Sequence, residues 1–296
     1  MTVSVLGFGG AEIGFEKTDI AAVGSLLHAA LDAGLNVLDT AECYSAGSDE
    51  TSSEFLIGET VAHRRSEYLL FTKCGHASGI DAPDWSPGLL RESIDRSLLR
   101  LRTDCVDLLQ LHSCGADVLR QGDAIAVLQA ARDAGKTRFI GYSGDGDGAL
   151  CALETGAFDT LQTSVNIADQ DCVTKTLPLA VQQNIGVIAK RPLANAAWRW
   201  RTEAEAWDYH KEYWRRLQIL AYPFLSGDPD TVSRTALQFA LSVPGVATAI
   251  VGTKNPDRWA RNAALLDGGA TLSEGGFAAL RARFISVADA TWTPQR

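Results

Sequence analysis

The sequence lacks the long hydrophobic runs that a membrane protein needs. No stretch approaches the roughly 18 consecutive apolar residues that span a bilayer. The first ten residues, MTVSVLGFGG, have neither the basic region nor the apolar core of a signal peptide. Linkers and low-complexity tracts are also absent. We therefore expect a cytoplasmic protein, with residues 1–296 forming a single domain.

Cysteine pairs are missing as well. The six cysteines form no CxxC pair and show no Cys/His spacing typical of a metal site. They are Cys43, Cys74, Cys105, Cys114, Cys151 and Cys172. A chain of 296 residues buries enough apolar surface to be stable without disulfides or a structural metal. We expect reduced thiols that pack as small hydrophobic groups, and no bound metal.

Positive charge is scarce. The chain has 27 Lys and Arg against 36 Asp and Glu, which gives a formal net charge of −9. This balance argues against nucleic acid or an anionic membrane as the main partner. An anionic ligand would need a local cluster of basic residues. The 46% hydrophobic and 21% charged residues are typical of a globular protein and argue against disorder.

Short apolar segments alternate along the chain with longer amphipathic ones. The predicted strands are Val3–Gly9, Leu35–Thr40, Tyr68–Lys73, Val106–His112, Arg138–Ser143, Thr160–Asn166, Gly186–Arg191 and Ala247–Gly252. The clearest predicted helices are Asp19–Ala33, Pro87–Leu101, Asp123–Ala134, Thr174–Asn184 and Thr231–Ser242. Thr18 is placed to cap the first helix, and Gly34 and Gly135 follow two helix ends. Strands that alternate with helices predict parallel pairing.

Eight such units in about 250 residues favour a closed (β/α)₈ barrel. An open doubly wound sheet is the alternative, but Gly7-Phe8-Gly9-Gly10 lacks the third glycine of its phosphate-binding motif. An insertion, Trp198–Leu220, follows the seventh strand and is rich in aromatic residues. It either walls a pocket at the barrel mouth or packs as a helix on the exterior. Leu272–Ala290 is predicted to be a terminal helix.

Polar residues stand at the ends of neighbouring predicted strands. Asp39 ends the second strand, Lys73 the third and His112 the fourth, and Tyr44 follows Asp39 in the adjoining loop. In a barrel these ends meet at one rim. Each residue alone has an ordinary structural explanation, such as a turn, a rim charge or a core histidine. Four titratable side chains at one rim indicate an active site.

Six segments that include or follow these positions are LNVLDTAECY (35–44), SEFLIGE (53–59), FTK (71–73), DLLQLH (107–112), AGKTRFIGYS (134–143) and IVGTKNP (250–256). In order and over nearly the whole chain, they resemble the motifs of the aldo-keto reductases. The resemblance implies a barrel that binds NADPH and interconverts a carbonyl and an alcohol. It also implies a catalytic tetrad of Asp39, Tyr44, Lys73 and His112.

The residue types suit this chemistry. A hydride that arrives at a carbonyl carbon leaves an alkoxide, which needs a nearby proton donor. Tyr44 would supply the proton, and Lys73 beside it would depress the tyrosine pKa by roughly 1–3 units. Asp39 would keep Lys73 charged and aimed, while His112 would orient the carbonyl or relay the proton.

The resemblance also implies a set of cofactor-binding residues. They are Gly9, Gly10, Asp39, Ser143, Gln162, Lys190, Arg191, Leu193, Gly252, Thr253, Lys254, Arg258 and Asn262. Ser143 and Gln162 match the positions that hold the nicotinamide carboxamide. Two positions depart from the pattern: Gly144 stands where the family commonly has Asn, and Lys190 stands where many relatives have an aromatic shelf. The amino end lacks the family's usual floor hairpin.

The phosphate that distinguishes NADPH from NADH needs local cations in this acidic chain. Lys254 and Arg258 lie four residues apart at the start of a predicted helix, whose amino end favours anions. Arg258 matches the family's phosphate-clamping arginine. The alternative is a solvated helix face, because Arg261 continues the basic run and Asp257 interrupts it.

Two other classes of function stay open at this point. One is a regulatory barrel that binds a nicotinamide cofactor with little turnover. The other is a metal-dependent barrel hydrolase, although the chain has no paired-His motif. We expect a small carbonyl or alcohol as substrate and a monomer or small homo-oligomer. The sequence does not identify the substrate.

Overall fold

Eight parallel strands close into a barrel. The structure is a computed structural model that describes residues 1–289 and 291–294. The strands follow one another around the barrel in sequence order, and β8 pairs with β1 to close it. They are β1 Leu6–Gly9, β2 Val37–Asp39, β3 Leu69–Cys74, β4 Val106–His112, β5 Thr137–Ser143, β6 Thr160–Ser164, β7 Gly186–Lys190 and β8 Val246–Gly252. The predicted barrel and all eight strand positions are confirmed.

Helices connect and surround the strands. They are α1 Ala11–Phe15, α2 Ile20–Asp32, α3 Ser53–Val61, α4 Pro87–Leu101, α5 Ala116–Gln121, α6 Asp123–Asp133, α7 Gly146–Thr155, α8 Asp171–Lys175, α9 Leu177–Gln182, α10 Asp208–Leu220, α11 Pro229–Ser242, α12 Pro256–Ala264 and α13 Glu274–Val287. None of the helices in the described residues is long and apolar enough to cross a membrane.

The helix ends both confirm and correct the sequence predictions. Gly34 and Gly135 follow α2 and α6 with φ of 89° and 77°, as predicted. The predicted cap Thr18 is wrong. Asp19 caps α2, and its carboxylate accepts hydrogen bonds from the backbone N–H groups of Ala21 and Ala22 at 3.0 and 3.1 Å. Its extended backbone just before the helix brings the side chain over the first turn.

The predicted helix Thr174–Asn184 is also wrong, because the structure has two short helices, α8 and α9, that meet at Thr176. Pro178 has no N–H to continue a helical ladder from α8. The terminal helix runs from Glu274 to Val287. Ala290, the predicted end of that helix, lies outside the described residues.

The barrel interior is apolar at its amino end. A separate core cluster there consists of buried residues from five strands: Val37, Phe71, Leu108, Ile188 and Ile250. Val3 packs against this cluster from the amino-terminal segment. The larger core lies between the outer faces of the strands and the surrounding helices. Apolar side chains therefore fill the amino end of the barrel interior, and its carboxyl end is left for polar side chains.

Candidate active site

The strand alternation places the polar side chains above this apolar layer. Asp39, Lys73 and Gln110 each lie two residues after a member of the interior cluster. Side chains two positions apart in a strand face the same side, so these three also point into the barrel. All three are buried.

The ammonium group of Lys73 is surrounded by oxygen atoms. Its Nζ donates to Asp39 Oδ2 at 2.6 Å, to the carbonyl oxygen of Thr40 at 2.7 Å, and to the Tyr44 hydroxyl at 3.5 Å. Gln110 Nε2 donates to the other oxygen of Asp39 at 3.4 Å. A buried ion pair is maintained only when such additional hydrogen bonds satisfy it. Asp39 therefore fixes Lys73 beside the Tyr44 hydroxyl.

Tyr44 lies in the loop after β2, next to the ion pair. Its ring is 5.0 Å from Lys73 Nζ and packs edge-on against the His112 ring at 5.7 Å. Burial, reinforced by the Asp39 carboxylate, raises the pKa of Tyr44 well above its usual value. The expected depression of this pKa is wrong, because burial and the Asp39 charge raise it. The phenol is therefore protonated at neutral pH.

His112 ends β4 and faces the same space. Burial, with the Lys73 charge adding to it, lowers the pKa of His112 well below its usual value. The ring is therefore neutral at pH 7 and presents one donor and one acceptor nitrogen. Its Nδ1 lies 3.4 Å from Cys43 Sγ. Burial raises the pKa of the Cys43 thiol to about 12, so Cys43 is a thiol at neutral pH.

Ser143 and Gln162 lie on neighbouring strands and are buried. Within the described part of the chain, Ser143 Oγ and both polar atoms of the Gln162 amide have no hydrogen-bond partner. Buried polar groups are normally satisfied, so this cluster is a place for a polar ligand group. Gly144 has no room for the Asn common in the family, since a Cβ there would lie 2.4 Å from the Tyr142 hydroxyl.

Lys190 ends β7 and forms a buried ion pair with Asp145. Its Nζ lies 2.9 Å from Asp145 Oδ2. The other carboxylate oxygen accepts hydrogen bonds from Thr163 Oγ1 at 2.8 Å and from the backbone N–H of Ser164 at 2.7 Å. Burial alone would raise the pKa of Asp145, but the charges of Lys190 and Arg191 outweigh it and lower the pKa. The two departures from the family pattern therefore adjoin one ion pair.

The insertion after β7 reaches this end of the barrel. Arg191 Nε donates to the Tyr209 hydroxyl at 2.7 Å, from the first turn of α10. Tyr213, one turn further, is fully buried. The sequence predicts that Trp198–Leu220 either walls a pocket at the barrel mouth or packs as a helix on the exterior. Each alternative holds in part, because α10 buries Tyr213 and also places Tyr209 beside the mouth. Leu193 begins the connecting turn.

Three glycines lie at the closing seam of the barrel. Gly9 pairs with Gly252 and with Asp39, and Gly10 donates its backbone N–H to the Asp39 carbonyl oxygen at 2.8 Å. The carboxylate of Glu12 packs against Gly252 and fills the space that a side chain at position 252 would occupy. Burial raises the pKa of Glu12, which also faces the charges of Glu16, Lys254 and Arg199.

Helix α12 carries the predicted phosphate-binding residues. Lys254 is paired with Glu16, and Arg261 with Asp230. Arg258 is exposed, and its side chain forms no ion pair or hydrogen bond with the residues that the structure describes. Asn255 caps the helix. The remaining predicted residues are Thr253, in the turn before the cap, and Asn262, which is buried on the helix.

Three contributors to this region were missed by sequence reasoning. Asp145 pairs with Lys190 across β6, and Glu12 covers Gly252. His76 joins Cys43 and His112 at the mouth, although the spacing of these residues in sequence gave no metal-site pattern. Only the position of His76 just after the β3 end could have signalled it. All six cysteines are free, as predicted.

Comparisons with known proteins agree with this fold. The sequence pattern of the aldo/keto reductase family matches residues 5–282. The uncharacterized oxidoreductase YqkF of Bacillus subtilis is 27% identical over 88% of this chain and 87% of its own. L-galactose dehydrogenase of Arabidopsis thaliana is 27% identical over 89% and 84%. The holo form of aldo-keto reductase AKR11C1 from Bacillus halodurans superimposes with a TM-score of 0.80, at 25% identity over 95% and 92%.

These findings define a barrel oxidoreductase that acts on carbonyl or alcohol groups with a nicotinamide cofactor. The chain belongs to the aldo/keto reductase family.

Proposed function

We propose that the protein is an NADPH-dependent carbonyl reductase in which Tyr44 is the proton donor. The observation that carries the proposal is the position of the Tyr44 hydroxyl, 3.5 Å from Lys73 Nζ and next to the His112 ring. A raised tyrosine pKa keeps the phenol protonated, which is the form that reduction requires.

Each member of the tetrad has a separate role in this proposal. Neutral His112 donates a hydrogen bond that directs the carbonyl oxygen towards Tyr44. Tyr44 transfers its proton to the oxygen as the carbonyl becomes an alcohol. Lys73 stabilises the negative charge that develops on the phenol oxygen, and Asp39 holds Lys73 in place.

The polar atoms that lack partners fit a nicotinamide cofactor. NADPH supplies a hydride when it is bound. Ser143 Oγ and the Gln162 amide offer a donor and acceptors for its carboxamide. Gly9, Gly10 and Gly252 lie at the closing seam next to Asp39, and Arg258 offers an exposed guanidinium to the ribose phosphate. A reductase from Klebsiella pneumoniae with the same fold, 24% identical with a TM-score of 0.70, was solved with NADPH.

Polyhydroxylated carbonyl compounds are the substrate class we favour. Besides L-galactose dehydrogenase, one relative is 6-dehydroglucose reductase of Novosphingobium aromaticivorans, 39% identical over 47% of each chain. The mouth beside Tyr44 supplies polar groups that suit hydroxyls, namely His76, Arg191 and Tyr209.

The test is a panel of aldehydes, ketones, sugars and alcohols, assayed with NADPH and with NADH on the wild type and on Tyr44→Phe. We expect reduction with NADPH, and a loss of roughly 100-fold or more in Tyr44→Phe. The variant keeps the ring, so its cofactor affinity and circular dichroism should be unchanged. A Tyr44→Phe enzyme with more than about a tenth of wild-type turnover would contradict the role of Tyr44. Tight cofactor binding without turnover on any substrate would favour the regulatory alternative.

A further inference from the structure

Cys43, His76 and His112 form a cluster at the mouth of the barrel. One potential ligand atom from each residue lies within 4.8 Å of the others, and all three side chains are half-buried. Cys43 Sγ and His112 Nδ1 are 3.4 Å apart, and the rings of His76 and His112 are 4.9 Å apart. Cys43 and His76 lie in the loops after β2 and β3, and His112 is the last residue of β4.

The separation of these atoms suits a tetrahedral metal ion. With bonds of about 2.3 Å to sulfur and about 2.0 Å to nitrogen, two tetrahedral ligands lie about 3.5 Å apart. The Sγ to Nδ1 distance of 3.4 Å is therefore that of a ligand pair before any rearrangement. One thiolate and two imidazoles favour Zn²⁺ over Mg²⁺ or Ca²⁺, which prefer oxygen ligands.

A contact between His76 and the carboxylate of Asp84 also supports a metal site. His76 Nδ1 lies 3.3 Å from Asp84 Oδ2, while Asp84 Oδ1 accepts the backbone N–H of Ala77 at 2.8 Å. Histidines that bind metals usually donate their other ring nitrogen to a carboxylate or carbonyl, which fixes the tautomer. This contact leaves Nε2 of His76 as the free nitrogen with its lone pair.

The backbone turns at Gly75, just before His76. Gly75 has φ of 144°, a conformation that side chains disfavour, and a Cβ there would lie 2.6 Å from the Trp85 ring. Trp85 Nε1 donates to the His112 carbonyl oxygen at 2.9 Å. The tryptophan thus links the His76 loop to the His112 strand end and holds the two histidines together.

We propose that Cys43, His76 and His112 bind Zn²⁺ at the mouth of the barrel and that the bound ion inhibits the enzyme. On binding, the Cys43 thiol releases its proton to solvent and a zinc–sulfur bond forms. Water completes the coordination at the fourth position. The ion takes one nitrogen of His112 and fills space beside Tyr44, so it competes with the carbonyl substrate. The inhibition rests on the proposed catalytic function, whereas binding does not.

Binding is tested by titrating Zn²⁺ into metal-free protein in a calorimeter, and by titrating Co²⁺, whose bond to a thiolate gives an absorption band. We expect one ion per chain and a thiolate band. Asp84 would not contact the ion itself, so Asp84→Asn should weaken Zn²⁺ binding by roughly 10- to 100-fold. Cys43 would be a direct ligand, so Cys43→Ala should abolish the band and weaken Zn²⁺ binding by more than about 100-fold. Cys105→Ala is the matched control, since Cys105 precedes β4 at the opposite end of the barrel.

Inhibition is measured on each variant relative to its own metal-free rate. We expect Zn²⁺ to raise the KM for the carbonyl in the wild type and in Cys105→Ala, and a chelator to restore it. Cys43→Ala and His76→Ala should resist the ion. Absence of stoichiometric Zn²⁺ binding, or equal binding by the wild type and Cys43→Ala, would overturn the site. Stoichiometric binding with unchanged kinetics would overturn the inhibition and leave the catalytic proposal untouched.

Discussion

At the scale of single residues, the surroundings of Lys73 determine what Tyr44 can do. The ammonium contacts three oxygen atoms, from Asp39, Thr40 and Tyr44. Burial and the Asp39 carboxylate raise the pKa of Tyr44, so the phenol keeps its proton at neutral pH. In the proposed reaction, the ammonium stabilises the negative charge that develops on the Tyr44 oxygen more strongly than it stabilises the neutral phenol. Such selective stabilisation is what accelerates a reaction.

Lys73→Met should abolish turnover and destabilise the fold, because it leaves the buried Asp39 carboxylate without its cation. Breaking a buried pair in this way costs about 3–5 kcal/mol. Denaturant unfolding and steady-state assays measure the two effects separately.

The double variant Asp39→Asn/Lys73→Met is the control. It removes both charges, so it should recover most of the lost stability and none of the lost turnover. If the double variant regained activity together with stability, Lys73 would have only a structural role.

The proximity of Asp39, Tyr44, Lys73 and His112 could be predicted from the sequence. Three of them stand at strand ends, where barrel geometry brings them together whatever their separation along the chain. The direction of the Tyr44 pKa could not be predicted, because it depends on how deeply the phenol is buried and on how close the Asp39 carboxylate lies to it. These are properties of packing in three dimensions.

At the scale of strands and helices, an ion pair joins the loop after β5 to the end of β7, and no local sequence pattern indicates it. Asp145 and Lys190 are 45 positions apart and come from different βα units. The sequence identified both Gly144 and Lys190 as departures from the family. Their connection through Asp145 required the register that places Ser164 opposite Lys190.

Lys190→Met should destabilise the protein by about 3 kcal/mol, at the lower end for a broken buried pair, because Arg191 Nη1 is still 3.9 Å from Asp145. Asp145→Asn/Lys190→Met should recover most of this loss, since the amide oxygen can accept the hydrogen bonds of Thr163 and Ser164. The unfolding free energies of the single and double variants give the coupling energy between Asp145 and Lys190. Additive losses of stability would mean that the two residues do not stabilise each other.

In the proposed function, helix α12 recognises the cofactor phosphate through Arg258. Arg258→Ala should weaken NADPH roughly 10- to 100-fold, because an arginine–phosphate contact contributes about 1.5–3 kcal/mol. NADH has no phosphate there, so its dissociation constant should stay within about threefold. Quenching of tryptophan fluorescence measures both constants.

Arg261→Ala is the matched control for this helix. Arg261 is paired with Asp230, so its removal should change NADPH binding by less than about threefold. Equal weakening of NADPH and NADH by Arg258→Ala would mean that α12 does not read the phosphate. The sequence could not distinguish the two arginines, because their difference lies in a contact with the distant helix α11.

At the scale of the whole molecule, the number of βα units was enough to predict a closed barrel, and the Gly9–Gly252 pairing closes it. The role of the insertion could not be predicted. Its contact between Tyr209 and Arg191 exists only once α10 is packed against the barrel. Stability of the complete fold also depends on polar groups buried where several elements meet.

Glu54 is the clearest of these groups. It lies on α3, is fully buried, accepts a hydrogen bond from Thr72 Oγ1 on β3 at 2.5 Å, and lies 3.6 Å from Arg100 on α4. Burial outweighs these contacts and raises the pKa of Glu54 from 4.5 to about 7. The folded protein therefore holds a proton that the unfolded chain releases between about pH 4.5 and 7. Linkage then makes Glu54 increasingly destabilising as the pH rises through that interval.

Glu54→Gln should remove this dependence, because glutamine does not titrate and keeps an acceptor for Thr72. Relative to the wild type, the variant should be more stable at pH 8 than at pH 4.5, by about 3 kcal/mol from a pKa shift of about 2.5 units. Denaturant unfolding of both proteins at the two pH values measures this difference. The control, Glu50→Gln, changes an exposed glutamate in the preceding turn and should show no such difference. A Glu54→Gln effect of equal size at both pH values would mean that Glu54 is ionised in the folded protein throughout this range.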